Sequence, residues 1–177
     1  MKKIEVIDNF LPTDLFLDIS DFFFSDKIVW YWNEFKTTHE KIKYDDQLDE
    51  LDDFQYIHPL YNFNKPVSNV NIQAFIDALN MKHIVKAKAN STIRMNSIFK
   101  YGFHTDVKLP GCKTSIFYMN TNNGFTEFEN GDIIESIANR MITFDSSLKH
   151  TGTSCTNKKR RIVLNFNYFN HDNFPKN

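Results

Sequence analysis

The 177-residue chain is 41% apolar and 24% charged, which suits one packed domain and excludes disorder, collagen and coiled coil. Its net charge of −1 gives no general attraction to nucleic acid or an anionic membrane. No apolar run approaches the ~20 residues of a membrane span, the charged N-terminus does not read as a signal peptide, and Cys112 and Cys155 alone build neither a disulfide framework nor a four-ligand zinc site; a cytoplasmic protein is expected.

Residues 4–7 alternate weakly and predict a short strand. Leu11-Pro12-Thr13-Asp14 opens a helix, with Pro12 suited to a first turn and Asp14 and Asp18 near its positive end. Leu15, Phe16, Ile19, Phe22 and Phe23 then form one apolar stripe at helical spacing. Residues 28–32 read as a strand. Residues 34–53 are strongly acidic and read as a solvated loop, with a mobile lid over a site as the functional alternative. Residues 54–58 predict another strand, stopped by Pro59. Asn69 is expected to cap a second helix through about Leu79, with Ile72, Phe75, Ile76 and Leu79 as its apolar face. Residues 83–90 and 91–98 then predict two strands. The first places Lys86 and Lys88 on one face and Val85, Ala87 and Ala89 on the other.

Further strands are expected at 114–119, 125–129, 133–136, 140–144 and 161–169. Asn130-Gly131 signals a hairpin in which both central residues take positive φ. Helices first and antiparallel strands later predict an α+β, mainly β protein, a sandwich or jelly roll with the N-terminal helices packed on one sheet. One domain, 1–177, is expected, with 1–82 as helical and strand support and a lid, and 83–170 as the jelly-roll core.

His104-Thr105-Asp106 is a His-x-Asp triplet. On an extended chain its imidazole and carboxylate point the same way. His150 lies 44 residues beyond Asp106, just after a predicted strand. Two histidines and one carboxylate leave coordination positions open, the donor set of non-haem Fe(II) oxygenases. Only four arginines occur, and two are adjacent. In 160–169, Arg160, Ile162, Leu164, Phe166 and Tyr168 share one face, which should pack beneath the helices. Arg161, Val163, Asn165 and Asn167 share the other. A buried guanidinium needs an anion, and its planar fork suits a carboxylate. Strand parity favours Arg161 over Arg160 for that role.

Together, several segments resemble a known family in order and spacing. They are His104-Thr105-Asp106, Ile116-Phe117-Tyr118-Met119-Asn120, Asn123-Gly124-Phe125-Thr126-Glu127-Phe128, His150-Thr151-Gly152, and Arg160-Arg161 leading into Asn165-Phe166-Asn167-Tyr168-Phe169. The chain resembles the Fe(II)- and 2-oxoglutarate-dependent dioxygenases, prolyl-4-hydroxylase-like branch. It looks most like the small oxygenases encoded by tailed phages of aquatic bacteria, so the cytoplasm would be that of a host cell. The resemblance implies a double-stranded β-helix, with His104, Asp106 and His150 as Fe(II) ligands. It also implies Arg161 as the anchor of the distal 2-oxoglutarate carboxylate, Tyr118 as its partner there, and Asn90 as a further cosubstrate contact. Fe(II), 2-oxoglutarate and O2 are the implied cofactors, and ascorbate is admitted.

The implied reaction is hydroxylation, with succinate and CO2 as co-products. A peptidyl side chain such as proline, a nucleobase and a free metabolite are all compatible substrates, and oligomeric state is unreadable. Two other readings stay open: a cupin-like metal-binding jelly roll without oxygenase activity, and a non-catalytic structural or binding protein.

Overall fold

A computed structural model describes residues 3–34 and 53–170. Its elements in chain order are β1 (Glu5–Ile7), α1 (Thr13–Phe24), β2 (Tyr31–Asn33), β3 (Gln55–Asn62), β4 (Lys65–Pro66), α2 (Gln73–Ala78), β5 (His83–Ile93), β6 (Lys113–Tyr118), β7 (Phe125–Phe128), β8 (Ile133–Glu135), β9 (Arg140–Asp145), β10 (His150–Gly152) and β11 (Arg160–Phe169). The acidic stretch 34–53, apart from its end residues, lies outside the described residues. Among the described residues no helix is long and apolar enough to cross a membrane.

The protein is mainly β, with antiparallel ladders in two sheets. The larger runs β1-β9-β6-β11-β5-β3-β2, with β4 beside β3, and the smaller runs β10-β7-β8. The period-2 alternation of the central strands gives the large sheet two apolar faces. On one face Phe117, Met141, Ile162, Leu164, Phe166 and Tyr168 join Phe23 of α1 and Phe75 of α2 in a single core. Phe117 is the hub, with its ring centroid 5.0 Å from Phe75 and 6.1 Å from both Phe10 and Phe16. On the other face Ile116, Tyr118, Ile142, Phe144 and Val163 pack with Phe128 of the small sheet. Between the two sheets the polar residues of β5 and β11 line a cavity.

Several local expectations change. Leu15 is 36% exposed and stands outside the buried side of α1. Pro59 does not stop its strand; β3 runs through it, paired with Lys88, with a register shift between Pro59 and Tyr61. The neighbouring β2 ends its pairing at Ile57, so no β2 residue requires an N–H from Pro59. The second helix starts at Gln73 and not at Asn69; Asn71 Oδ1 accepts the Gln73 N–H at 2.9 Å. Residues 83–93 form one long strand, because β11 supplies a continuous partner from Phe169 to Arg160. The β7–β8 hairpin exists, but its loop spans residues 129–131 and only Gly131 takes positive φ, +91°. Gly131 N donates to Phe128 O and Phe128 N to Asp132 O, the bulged three-residue turn rather than the two-residue one.

Candidate active site

His150 opens β10 and faces His104 across an isolated antiparallel bridge. Each backbone N–H donates to the other residue's carbonyl, at 2.9 and 3.0 Å. The segment carrying His104 belongs to no named strand, yet it is tied along its length. Lys100 bridges Thr153, Tyr101 N donates to Gly152 O, and the Thr151 hydroxyl donates to Tyr101 O. The two imidazoles lie 4.8 Å apart by ring centroid. His150 is buried against Phe144 and Phe128, at centroid distances of 4.9 and 6.1 Å.

The carboxylate of Asp106 enters between them. Its Oδ1 lies 3.7 Å from His104 Nε2 and its Oδ2 3.6 Å from His150 Nε2. One ligand atom from each of the three residues fits within a 4.8 Å spread. Both Nδ1 atoms face carbonyls two residues back, Gly102 O and Leu148 O, at 3.2 Å each. Donation from Nδ1–H to these carbonyls leaves each Nε2 as the ring atom that faces Asp106. Burial is the main force lowering the His150 pKa. Burial pushes the Asp106 carboxyl upward, but the His104 imidazole and the charges of His150 and Lys88 outweigh it and hold it well below the usual carboxylate range. Asn165 Nδ2 donates to Asp106 Oδ2 at 2.8 Å, and Asn167 Nδ2 approaches the same oxygen at 3.5 Å.

These groups open onto a cavity of about 150 Å3. Its far end holds Arg161, which is 4% exposed. Nε donates to Ser136 Oγ at 2.7 Å and Nη2 to Thr126 Oγ1 at 3.3 Å. Its Cζ lies 5.5 Å from the Tyr118 ring centroid. No carboxylate among the described residues pairs with it, so its partners are neutral hydroxyls and a π face. Burial lowers its pKa, though a guanidinium stays charged at any pH of interest. Arg160 points the opposite way. Its Nη2 donates to Phe24 O at 3.0 Å and its guanidinium lies over Phe24 and Trp30.

No protein-family model matches the chain, and no curated protein matches its sequence. Solved structures match its fold. A prolyl-4-hydroxylase from Pseudomonas putida superposes with a TM-score of 0.60 at 12% identity, covering 96% of this chain and 94% of that one. A 2OG-Fe(II) oxygenase family oxidoreductase from Burkholderia pseudomallei gives 0.62 at 9% identity, covering 98% and 88%. A prolyl hydroxylase in complex with a hypoxia inducible factor oxygen degradation domain peptide fragment, from Trichoplax adhaerens, gives 0.60 at 12%, covering 96% and 84%. The chain shares the fold of these oxygenases.

Of the residues singled out in the sequence, His104, Asp106, His150, Asn90 and Arg161 all line the one cavity. Tyr118 stands one layer behind. It is fully buried, and its hydroxyl donates to Thr126 Oγ1 at 2.8 Å. Burial pushes its pKa up, so it remains a donor. Thr126 is the residue that presents an oxygen to the cavity, and sequence reading missed it. Ser136, Lys86 and Lys88 were missed as well. The lysines carried a usable signal, since they alternate on the β5 face that also bears Asn90. Burial lowers the Lys88 pKa, against the opposing charge of Asp106. The Asn90 Oδ1 atom is buried without a hydrogen-bond partner.

Proposed function

We propose that the chain is an Fe(II)- and 2-oxoglutarate-dependent dioxygenase that hydroxylates a C–H bond of its substrate. The observation that carries this reading is a single cavity holding two imidazoles and a carboxylate at one end, and a buried arginine without a carboxylate partner among the described residues at the other. The donor set fits a divalent first-row metal with open coordination positions. The guanidinium fits one carboxylate of a dicarboxylic acid whose other end reaches the metal. A cupin-like metal site without oxygenase activity has no use for Arg161.

Bound Fe(II), together with 2-oxoglutarate and O2, supplies the oxidising chemistry, with succinate and CO2 as co-products. His104, Asp106 and His150 hold the metal. Arg161 orients the cosubstrate through its distal carboxylate, steadied by Ser136 and Thr126. Tyr118 acts through Thr126 and beneath the guanidinium, and Asn90 is the further cosubstrate contact. Phe128 and Phe144 keep water from His150. In this reading residues 1–177 form one domain, in which 83–170 are the core of a double-stranded β-helix and 1–82 its support. Two of the structures sharing the fold are prolyl hydroxylases, one seen with a peptide, which supports a peptidyl side chain such as proline as substrate.

The test is anaerobic titration with Fe(II) and then 2-oxoglutarate, monitoring the metal-to-ligand charge-transfer band. The band should appear in the native protein, vanish in His150→Ala, and require far more 2-oxoglutarate in Arg161→Ala. Metal binding without any band would overturn the proposal.

A further inference from the structure

The cavity carries more positive charge than the proposed chemistry uses. Among the described residues its charged lining is Lys86, Lys88, Arg161 and Asp106, three cations against one carboxylate. A divalent metal and a dianionic cosubstrate add no net charge, so the described lining keeps a surplus of two positive charges after both are bound. This surplus sits in a chain whose overall charge is −1, so it is local and built by the fold.

Its position is specific. Arg161 lies opposite Thr92, at one end of the β5–β11 ladder. Lys88 lies opposite Asn165, the residue that bonds Asp106, and Lys86 lies opposite Asn167, one step further from Arg161. The two ammonium groups therefore belong to the end of the cavity beyond the metal-ligand triad. Lys88 is half-buried and lines the cavity, and burial depresses its pKa. Neither lysine has a carboxylate within salt-bridge distance among the described residues. For Lys88, the less exposed of the two, a charge held without a carboxylate partner is costly unless a ligand supplies the counter-charge.

We infer that Lys88, with Lys86 at its outer side, forms an oxyanion subsite that recognises a phosphate or carboxylate group of the substrate and sets the substrate's position over the metal-ligand triad. The inference rests on the dioxygenase reading for the identity of the reaction, and on geometry alone for the anion. Substrates bearing such a group near the reacting carbon are selected, and neutral or cationic analogues are rejected.

The experiment is calorimetric titration of the anaerobic Fe(II)- and 2-oxoglutarate-loaded protein with inorganic phosphate and, separately, with acetate. The two arms separate a phosphate site from a carboxylate site. One of the anions should bind the native protein, and Lys88→Gln should weaken it by about tenfold, as for loss of a charge-assisted contact. Lys86→Gln, an exposed change with no folding risk, should weaken it less, and Lys88→Arg should restore most of the affinity. Affinity for 2-oxoglutarate should stay unchanged in all three variants. If neither anion binds, or if Lys88→Gln weakens 2-oxoglutarate as Arg161→Ala does, the subsite proposal is wrong. The same anion titrations on the metal-free protein test the subsite even where no charge-transfer band forms, so failure of the dioxygenase reading is told apart from failure of this one.

Discussion

Asn165, in the middle of β11, holds the Asp106 carboxylate by a 2.8 Å bond from its Nδ2 to Oδ2. That bond spans 59 residues of sequence and is the main tether of a carboxylate that no ladder positions. It leaves Oδ1 turned toward His104. Outer partners of this kind typically change metal affinity 10–100-fold when removed. Asn165→Ala should therefore fold, retain both histidines in place, and bind Fe(II) about 10–100-fold more weakly. Competition with a calibrated chelator measures this. Unchanged affinity would mean that the two imidazoles alone organise the site.

Gly124 precedes β7 and is packed too tightly for any side chain. A Cβ built there would lie 2.6 Å from Ser154 O, 2.8 Å from Asn122 Oδ1 and 2.9 Å from Arg161 Cδ. The closest clash is with a backbone oxygen, so the segment entering β7 must itself move, and the arginine stem packed on it is disturbed as well. Gly124→Ala should cost about 1–3 kcal/mol in urea unfolding and weaken 2-oxoglutarate binding by about tenfold as the guanidinium is displaced. Gly152→Ala is the matched control. Its Cβ would meet only Arg161 Nη1, at 3.5 Å, ordinary contact, and should leave both properties nearly unchanged.

What the sequence makes legible here is period and parity. Alternation in β11 separates Arg161, Asn165 and Asn167 from Ile162, Leu164, Phe166 and Tyr168, and these two sets do face opposite layers. The same parity turns Arg160 toward Phe24 and Trp30. Turn chemistry is less legible, because Asn130-Gly131 fits more than one loop length and the choice depends on how β7 and β8 align. Individual hydrogen-bond partners distant in sequence are not legible. Nothing near Asp106 in sequence announces Asn165, and nothing near Tyr118 announces that Thr126 would intervene between its hydroxyl and the cavity. Pro59 misleads for a related reason, since whether a proline ends a strand depends on which neighbour needs its N–H.

Asp8 and Arg140 clamp the N-terminal segment to β9 through a bidentate pair, Nε to Oδ1 at 2.5 Å and Nη2 to Oδ2 at 3.0 Å. The hydrogen bond to Arg140 is the main cause holding the Asp8 carboxyl below its ordinary value. A depressed folded-state pKa means that the contribution is fully present above the unfolded value of about 4 and is lost as pH falls through the lower folded value. Because the Asp8 side chain is 54% exposed, solvent screening limits the effect to about 0.5–1 kcal/mol. Asp8→Asn should lower stability by that amount at pH 7. The difference from the native protein should close as pH falls through the lowered folded-state pKa of Asp8 and shrink in high salt. A gap that persists unchanged at low pH would show that packing, and not the ion pair, holds this segment.

Arg161 is a buried charge whose protein partners are all neutral, and this predicts a separation between stability and binding. Removing a desolvated charge that lacks an ionic partner relieves its burial cost, while the bonds to Ser136 and Thr126 are lost, so the two effects oppose one another. Arg161→Met should therefore unfold within about 1 kcal/mol of the native protein when no ligand is present. With 2-oxoglutarate at 100 times its dissociation constant, the native metal-loaded protein should gain about 2.7 kcal/mol, and the variant should gain almost nothing at the same concentration. Arg161→Lys should recover only part of the gain, because an ammonium cannot form the two parallel bonds of the guanidinium fork. Thermal unfolding with and without 2-oxoglutarate reads all three values. A variant that unfolds readily without ligand would make Arg161 a structural residue. One that keeps the full ligand-dependent gain would remove the arginine from the cosubstrate site.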